Sequence, residues 1–193
     1  MPKRRPSSLP TASHRIQTLA AAKRLRQGDM IAHHTATLPG IAAIPTRKAI
    51  ARMQRFKQRA GPFLLLAADA ATALRLARFF PPQLRRLARS CWPGPITLVF
   101  PARPGLPPAC YQRGHIAVRV DAEACCRLLA RKAGGLLLST SLNRRGRPPL
   151  KLSRQQTFRL HRHLDGRLLA GQSSGKASRI IRVHRDRIRI LRT

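Results

Sequence analysis

Acidic side chains are almost missing from this sequence. The 6 Asp and Glu residues among 193 are Asp29, Asp69, Asp121, Glu123, Asp165 and Asp186. Only Asp121 and Glu123 lie close together, at an expected helix start. Glycosidases, EF-hands and carboxylate-held two-metal nucleases need paired or clustered carboxylates, which this set does not supply. Aromatics make up only 4%, with no aromatic stretch of the kind that stacks RNA bases on a sheet and no helix-turn-helix pattern. The cysteines, Cys91, Cys110, Cys125 and Cys126, form no C-x-x-C pair, which argues against a zinc site and a disulfide scaffold. Reduced thiols in a cytosol fit them best, so a cytoplasmic location is expected. No apolar run approaches the ~18 residues of a membrane span, and no membrane partner is expected. The basic start, Met1 to Arg15, has no apolar segment behind it and reads as no secretory signal. Being Arg-rich and acid-free, it also fits an organellar transit peptide. We read residues 1–15 as a basic disordered tail ahead of one domain at 16–193.

What the chain does have is positive charge and enough apolar mass to fold. Lys and Arg number 39, for a formal net charge of +33. Such a surface draws polyanions, with binding that weakens as salt rises; an Arg-heavy count can also follow from GC-rich coding. Apolar residues at 43% suit a packed core in a chain of single-domain length. The spacing of Leu19, Ala22 and Leu25 predicts a helix over 16–27, stopped by Gly28. Residues 29–33 read as a buried strand and 34–45 as a Thr/Pro/Gly loop. Thr46 is the expected N-cap of a helix to about Lys57, with Ile50, Met53 and Phe56 on one face. Strand 63–68, a helix from Asp69 to Ala77 and another from Pro81-Pro82 to about Ser90 follow. Then come strands 96–100 and 116–120, a helix capped by Asp121 and running to Lys132, strand 136–139, and a polar loop over 140–150. Ser153 and Gln156 form a capping-box signature for a helix to His163. Strands near Leu168, at 180–183 and at 188–191 close the chain, the last two around a turn at 184–186. This alternation predicts one α/β domain, a twisted mixed sheet with flanking helices.

Three clusters carry chemistry. Lys57-Gln58-Arg59 sits at a helix end, where an extended exit lets a compact ammonium and a bidentate guanidinium reach one polyanion; a solvated surface is the plainer reading of that pair alone. Ser139-Thr140-Ser141-Leu142-Asn143 follows an apolar strand, at the place where α/β folds put ligands; turn chemistry alone also explains it. Cys91-Trp92-Pro93-Gly94-Pro95 feeds strand Ile96–Phe100 and reads as structural.

In this order the blocks resemble the YrdC (TsaC-type) threonylcarbamoyl-AMP synthases, from about Ala20 to the C-terminus. The family pattern reads S-x-W-P-G-P-x-T, then A-V-R-x, then S-T-S-A-N-x-S-G. It is matched at Cys91–Pro101, Ile116–Val120 and Leu138–Asn143 with Gly146. The resemblance implies a YrdC-like sheet with a basic concave face. It also implies a nucleotidyltransferase that joins ATP, L-threonine and bicarbonate into threonylcarbamoyl-AMP and pyrophosphate. Mg2+ would be carried with ATP, and no side chain is assigned as acid or base. Transfer proteins would then pass the threonylcarbamoyl group to tRNA. By residue match, ATP would rest on Lys57, Arg59, Ser141 and Asn143, and threonine on Thr35, Arg119, Ser139 and Ser178. The family's Y-P-T-E loop aligns with His33-His34-Thr35-Ala36, of which Thr35 alone matches. His33 and His34 read either as polar ligands for threonine or as a strand end meeting solvent. The alternative function is a catalytically weak or silent module on the same fold that binds structured RNA through its charge.

Overall fold

The computed structural model describes residues 9–144, 146–158, 160, 162–185 and 187–193. The helices are α1 (Ala12–Arg26), α2 (Arg47–Lys57), α3 (Ala70–Arg75), α4 (Pro82–Cys91), α5 (Ala124–Lys132) and α6 (Arg154–Phe158). The strands are β1 (Ile31–His33), β2 (Gly40–Ala43), β3 (Leu64–Ala67), β4 (Ile96–Pro101), β5 (Tyr111–Gln112), β6 (His115–Arg119), β7 (Leu136–Ser141), β8 (Gly166–Leu168), β9 (Arg179–His184) and β10 (Arg187–Arg192). They form one mixed sheet in the order β10-β9-β4-β6-β3-β7-β2-β1-β8, with β5 pairing β6 beside that path. The pairs β1–β8, β3–β6 and β4–β9 are parallel.

Side-chain alternation along the strands sorts the core into two layers. Leu65 and Ala67 face a cluster with Ile41, Met53, Phe56 and Leu84, so α2, α3 and α4 cover that side of the sheet. Leu66 and Ala68 face the opposite cluster, built from Ala22 and Leu25 of α1 and from Cys126 and Leu129 of α5. Burying a Leu or Phe stabilises by about 1.5–3 kcal/mol, which makes these stripes the main hold on both helix layers. On their side, α1 and α5 reach β8, β3 and β7. They leave the β6–β4–β9 stretch open, where Val99, Ala117 and Ile180 line a cavity.

The structure departs from the sequence expectations at several places. α1 begins at Ala12, because Thr11 Oγ1 accepts the His14 N–H at 3.2 Å and caps it. Residues 12–15 are thus helix and not tail, while residues 1–8 of that expected tail lie outside the described residues. β2 occupies part of the expected loop: four small or β-branched residues carry little periodic signal, and pairing with β1 and β7 specifies the strand. β7 runs on through Ser141 rather than ending at 139. Glu123, not Asp121, caps α5, accepting the Cys125 N–H at 3.3 Å. The Gln156 side chain of the expected capping box lies outside the described residues, as do residues 159 and 161 of that helix and Asp186 of the final turn.

The Trp-Pro-Gly-Pro block is structural, as read. Trp92 Nε1 donates to Ile96 O at 2.9 Å, and the Gly94 N–H to Val120 O at 2.9 Å. A Cβ on Gly94 would lie 2.1 Å from the Cys91 carbonyl oxygen, so only glycine fits. Among the described residues, no helix is long and apolar enough to cross a membrane.

Candidate functional site

The C-terminal end of α2 delivers the first part of the site. Gln58 takes a left-handed conformation (φ 52°, ψ 41°) and turns the chain out of the helix. Lys57, only 4% exposed, reaches the end of β7. Its Nζ donates to Asn143 O and Asn143 Oδ1 at 2.6 Å each and to Ser141 O at 3.2 Å, with Ser141 Oγ 3.5 Å away. Ser141 Oγ donates to Asn143 Oδ1 at 2.6 Å, and Asn143 Nδ2 to Arg147 O at 2.6 Å. Every acceptor around the ammonium is an uncharged oxygen. Burial, and then the nearby Arg59 charge, push Lys57 down to about 8. The exposed Arg59 guanidinium lies 5.6 Å from the Phe63 ring centroid and donates to Pro62 O at 3.3 Å.

Arg59 and Ser141 open onto a cavity of about 350 Å³ on the uncovered part of the sheet, also lined by Thr35, Arg119, Ser139 and Ser178. Its far end is a buried polar network. Arg119 Nε lies 2.9 Å from Asp121 Oδ2, an ion pair whose side chains are 4% and 1% exposed. The contact is ionic and not a well-aligned hydrogen bond. Arg119 Nη1 donates to Thr37 Oγ1 at 2.9 Å, and Thr35 Oγ1 donates to Leu38 O at 2.8 Å. The two threonine hydroxyls are 2.9 Å apart, so Thr37 donates to Thr35 and one directed chain runs from the guanidinium to the loop carbonyl. Asp121 Oδ1 accepts the Ala36 N–H at 2.7 Å and the Glu123 N–H at 2.9 Å, which ties the 34–38 loop to the sheet. Ser178 Oγ lies 3.0 Å from Thr97 Oγ1 and accepts from Arg192 Nη2 at 3.0 Å, while Arg192 Nε donates to Ser178 O at 2.8 Å. Burial, then the charge of Arg119, lowers the Arg192 pKa.

All eight residues singled out from sequence thus meet in one region. Thr35, Arg59, Arg119, Ser139, Ser141 and Ser178 line the cavity, and Lys57 and Asn143 join it through Ser141. Three participants escaped the sequence reading. Asp121 looked like a helix cap, Thr37 like an ordinary loop residue, and Arg192 like one more arginine in a basic chain. The reading of His33 as a strand end meeting solvent is corrected, since it is 0% exposed. His34 is half-buried, its Nδ1 3.0 Å from Ser173 Oγ. Among the described residues, no group of three or more His, Cys, Asp or Glu side chains could hold a metal ion.

Known proteins share both sequence and fold. The Sua5/YciO/YrdC family model, described as "Telomere recombination", matches residues 23–193. A threonylcarbamoyl-AMP synthase of Nitrosococcus oceani is 38% identical over 141 residues, covering 70% of this chain and 75% of that protein. One of Stenotrophomonas maltophilia is 35% identical over 164 residues, covering 82% and 88%. Among solved structures, a P. abyssi Sua5 complexed with L-threonine superposes with a TM-score of 0.80 at 24% identity, over 88% of this chain and 51% of that one. The chain therefore spans about half the length of that Sua5. E. coli YciO superposes with a TM-score of 0.80 at 21% identity, over 95% and 91%.

Proposed function

The chain belongs to the Sua5/YciO/YrdC family, and on that premise we propose that it is a threonylcarbamoyl-AMP synthase. The threonine amine attacks the carbon of CO2 supplied by bicarbonate and loses a proton to give a carbamate. A carbamate oxygen then attacks the α-phosphorus of ATP, and the bond to the β-phosphate oxygen breaks to release pyrophosphate. The chemistry asks little acid–base work of a side chain. It asks that three reactants be held in line and that triphosphate charge be met. A chain with 6 acidic residues can do this where a two-carboxylate hydrolase could not.

The observation that carries the reading is the Lys57–Ser141–Asn143 junction beside a cavity that Arg59 also lines. An ammonium surrounded by uncharged oxygens, next to a guanidinium, suits phosphate oxygens. Thr35, Arg119, Ser139 and Ser178, which line the same cavity, offer hydroxyls and a held guanidinium to a small amino acid. Magnesium enters with ATP as part of the substrate. A structured RNA such as tRNA, and the proteins that carry the product to it, are the proposed partners, supported by the net charge of +33. Four free cysteines support a cytosolic setting.

The test mixes purified protein with ATP, L-threonine and bicarbonate and follows pyrophosphate. We expect release that needs all three and is lost in the Lys57→Ala/Arg59→Ala double variant. Wild type that releases none, or a double variant that releases as much, would refute the assignment.

A further inference from the structure

The sheet has two ends, and they are finished differently. At one end β8 is three residues long and α1 packs against it. At the other, β10 spans Arg187–Arg192 and all of it is exposed. One side of β10 pairs with β9. Its other side presents backbone N–H and C=O groups that no described strand takes up. A free edge of that kind is a template for a further strand.

The register says which side chain faces where. Ile188 sits opposite Val183 and Ile190 opposite Ile181, and both partners belong to the core under α2, α3 and α4. The isoleucines share that face, but the helix layer stops short of them and leaves them 50% and 51% exposed. Arg187 sits opposite His184 and Arg189 opposite Arg182, on the face where Ile180 lines the cavity. Basic side chains are thus set against basic side chains across the ladder, an unfavourable arrangement by itself. Among the described residues neither Arg187 nor Arg189 has an ion-pair partner. Residues 166–193 contain one acid, Asp186, against eight Lys and Arg. The regular stretch Arg187–Ile190 ends at a bulge before Arg192.

These features select an occupant. A second copy of the edge would set arginine against arginine, so the charge blocks self-pairing. Structured RNA would meet the arginines, yet it would leave the isoleucines bare and the strand backbone unpaired. An extended segment that alternates acidic and apolar residues meets all three features at once. We propose that β10 is a docking edge for an acidic segment of another protein. The segment adds as a further strand along Arg187–Ile190, its apolar side chains on Ile188 and Ile190 and its carboxylates beside Arg187 and Arg189. The proposal is independent of the reaction catalysed, since Ile188 and Ile190 do not line the cavity.

Fluorescence anisotropy of the full chain with two labelled octapeptides tests this. One alternates Glu and Val, and the other holds the same residues in two blocks, Glu first. In about 0.15 M NaCl we expect the alternating peptide to bind at least tenfold more tightly than the block peptide. The Ile188→Lys/Ile190→Lys variant adds two positive charges at half-exposed positions. Attraction by bulk charge alone would make this variant bind the alternating peptide more tightly, whereas we expect binding at least fivefold weaker. Amide hydrogen exchange on wild type needs no variant, and the bound alternating peptide should slow exchange in β10. Equal affinity for the two peptides, tighter binding by the variant, or unchanged exchange in β10 overturns the proposal. A hairpin RNA that slows β10 exchange where the peptide does not also overturns it and makes this edge a nucleic-acid surface. A wild-type dimer in sedimentation that Ile188→Lys/Ile190→Lys splits overturns it in favour of a self-interface.

Discussion

Lys57 and Arg119 are buried cations of one site, Arg119 lining the cavity and Lys57 joined to it through Ser141, and they are held in opposite ways. Arg119 has a carboxylate 2.9 Å away. Lys57 has four uncharged oxygens and no acid. A buried charge without a counter-charge is costly, and burial accordingly drags Lys57 down to about 8. That ammonium gains most from an incoming anion. Arg119 has its charge met already, and its Nη1 fixes the chain through Thr37 and Thr35 to Leu38 O. In the proposed function the unmatched cation would receive phosphate, while the matched one would frame a small polar molecule.

The largest way to break this contrast is at Asp121. Asp121→Ala strands the Arg119 guanidinium and leaves the Ala36 and Glu123 amides without their acceptor. Removing one partner of a buried ion pair costs about 3–5 kcal/mol, so urea unfolding should move by that much. Asp121→Asn keeps an acceptor for both amides and should cost clearly less. Lys57→Met, at equal depth, removes a charge that had no counter-ion, though it also takes a donor from the Ser141 and Asn143 oxygens, and should cost less than Asp121→Ala. Equal losses in the two variants would erase the distinction.

Titration sharpens it further. Native Lys57 sheds its proton near pH 8, the unfolded chain only near 10.5. Below pH 8 both states are protonated and the desolvation penalty is fully present. Between 8 and 10.5 the unfolded state holds more protons, so the ligand-free protein should gain stability there relative to Lys57→Met. Phosphate binding needs the charged form, so ATP affinity should fall over the same range, approaching tenfold per pH unit. Two opposite slopes from one group is the signature, and parallel slopes would place the shift elsewhere. Arg59→Lys is a milder change. It keeps the charge but loses the planar fork over Phe63, and should raise the ATP KM about three- to tenfold in initial-rate assays.

How much of this was legible depends on how local each signal was. α2 could be read almost to its ends, since Thr46 caps it and Ile50, Met53 and Phe56 fall on one face. The Lys57–Ser141–Asn143 junction, the proposed phosphate site, follows from such local signals, because a helix end and a strand end each carry their residues in one short stretch. The network around Arg119 does not. Asp121 sits where a cap belongs, yet Glu123 two residues on takes that task and leaves Asp121 to bind across the fold to Ala36, 85 positions away in sequence. No spacing rule could have chosen between two carboxylates that close together. β2 was hidden for a related reason: Gly40-Ile41-Ala42-Ala43 has no alternation to see, and only its neighbours β1 and β7 make it a strand. His33, at the end of an expected buried strand, could be read as a threonine ligand or as a strand end meeting solvent, and the fold buries it completely.

The smallest effect separates helix stability from site geometry. Thr46 Oγ1 accepts the Ala49 N–H at 3.2 Å and starts α2, whose other end carries Lys57. Thr46→Ala should cost about 1 kcal/mol, the usual worth of an N-cap. Lys57 is held at the far end by Ser141 and Asn143, eleven residues and about three turns away along α2. Fraying of the first turn does not reach that junction, so the Tm should drop while the ATP KM stays within twofold. A parallel loss of ATP affinity would mean that the ammonium is aimed by the helix as a whole and not by the β7 end, and the phosphate receptor would then extend into α2.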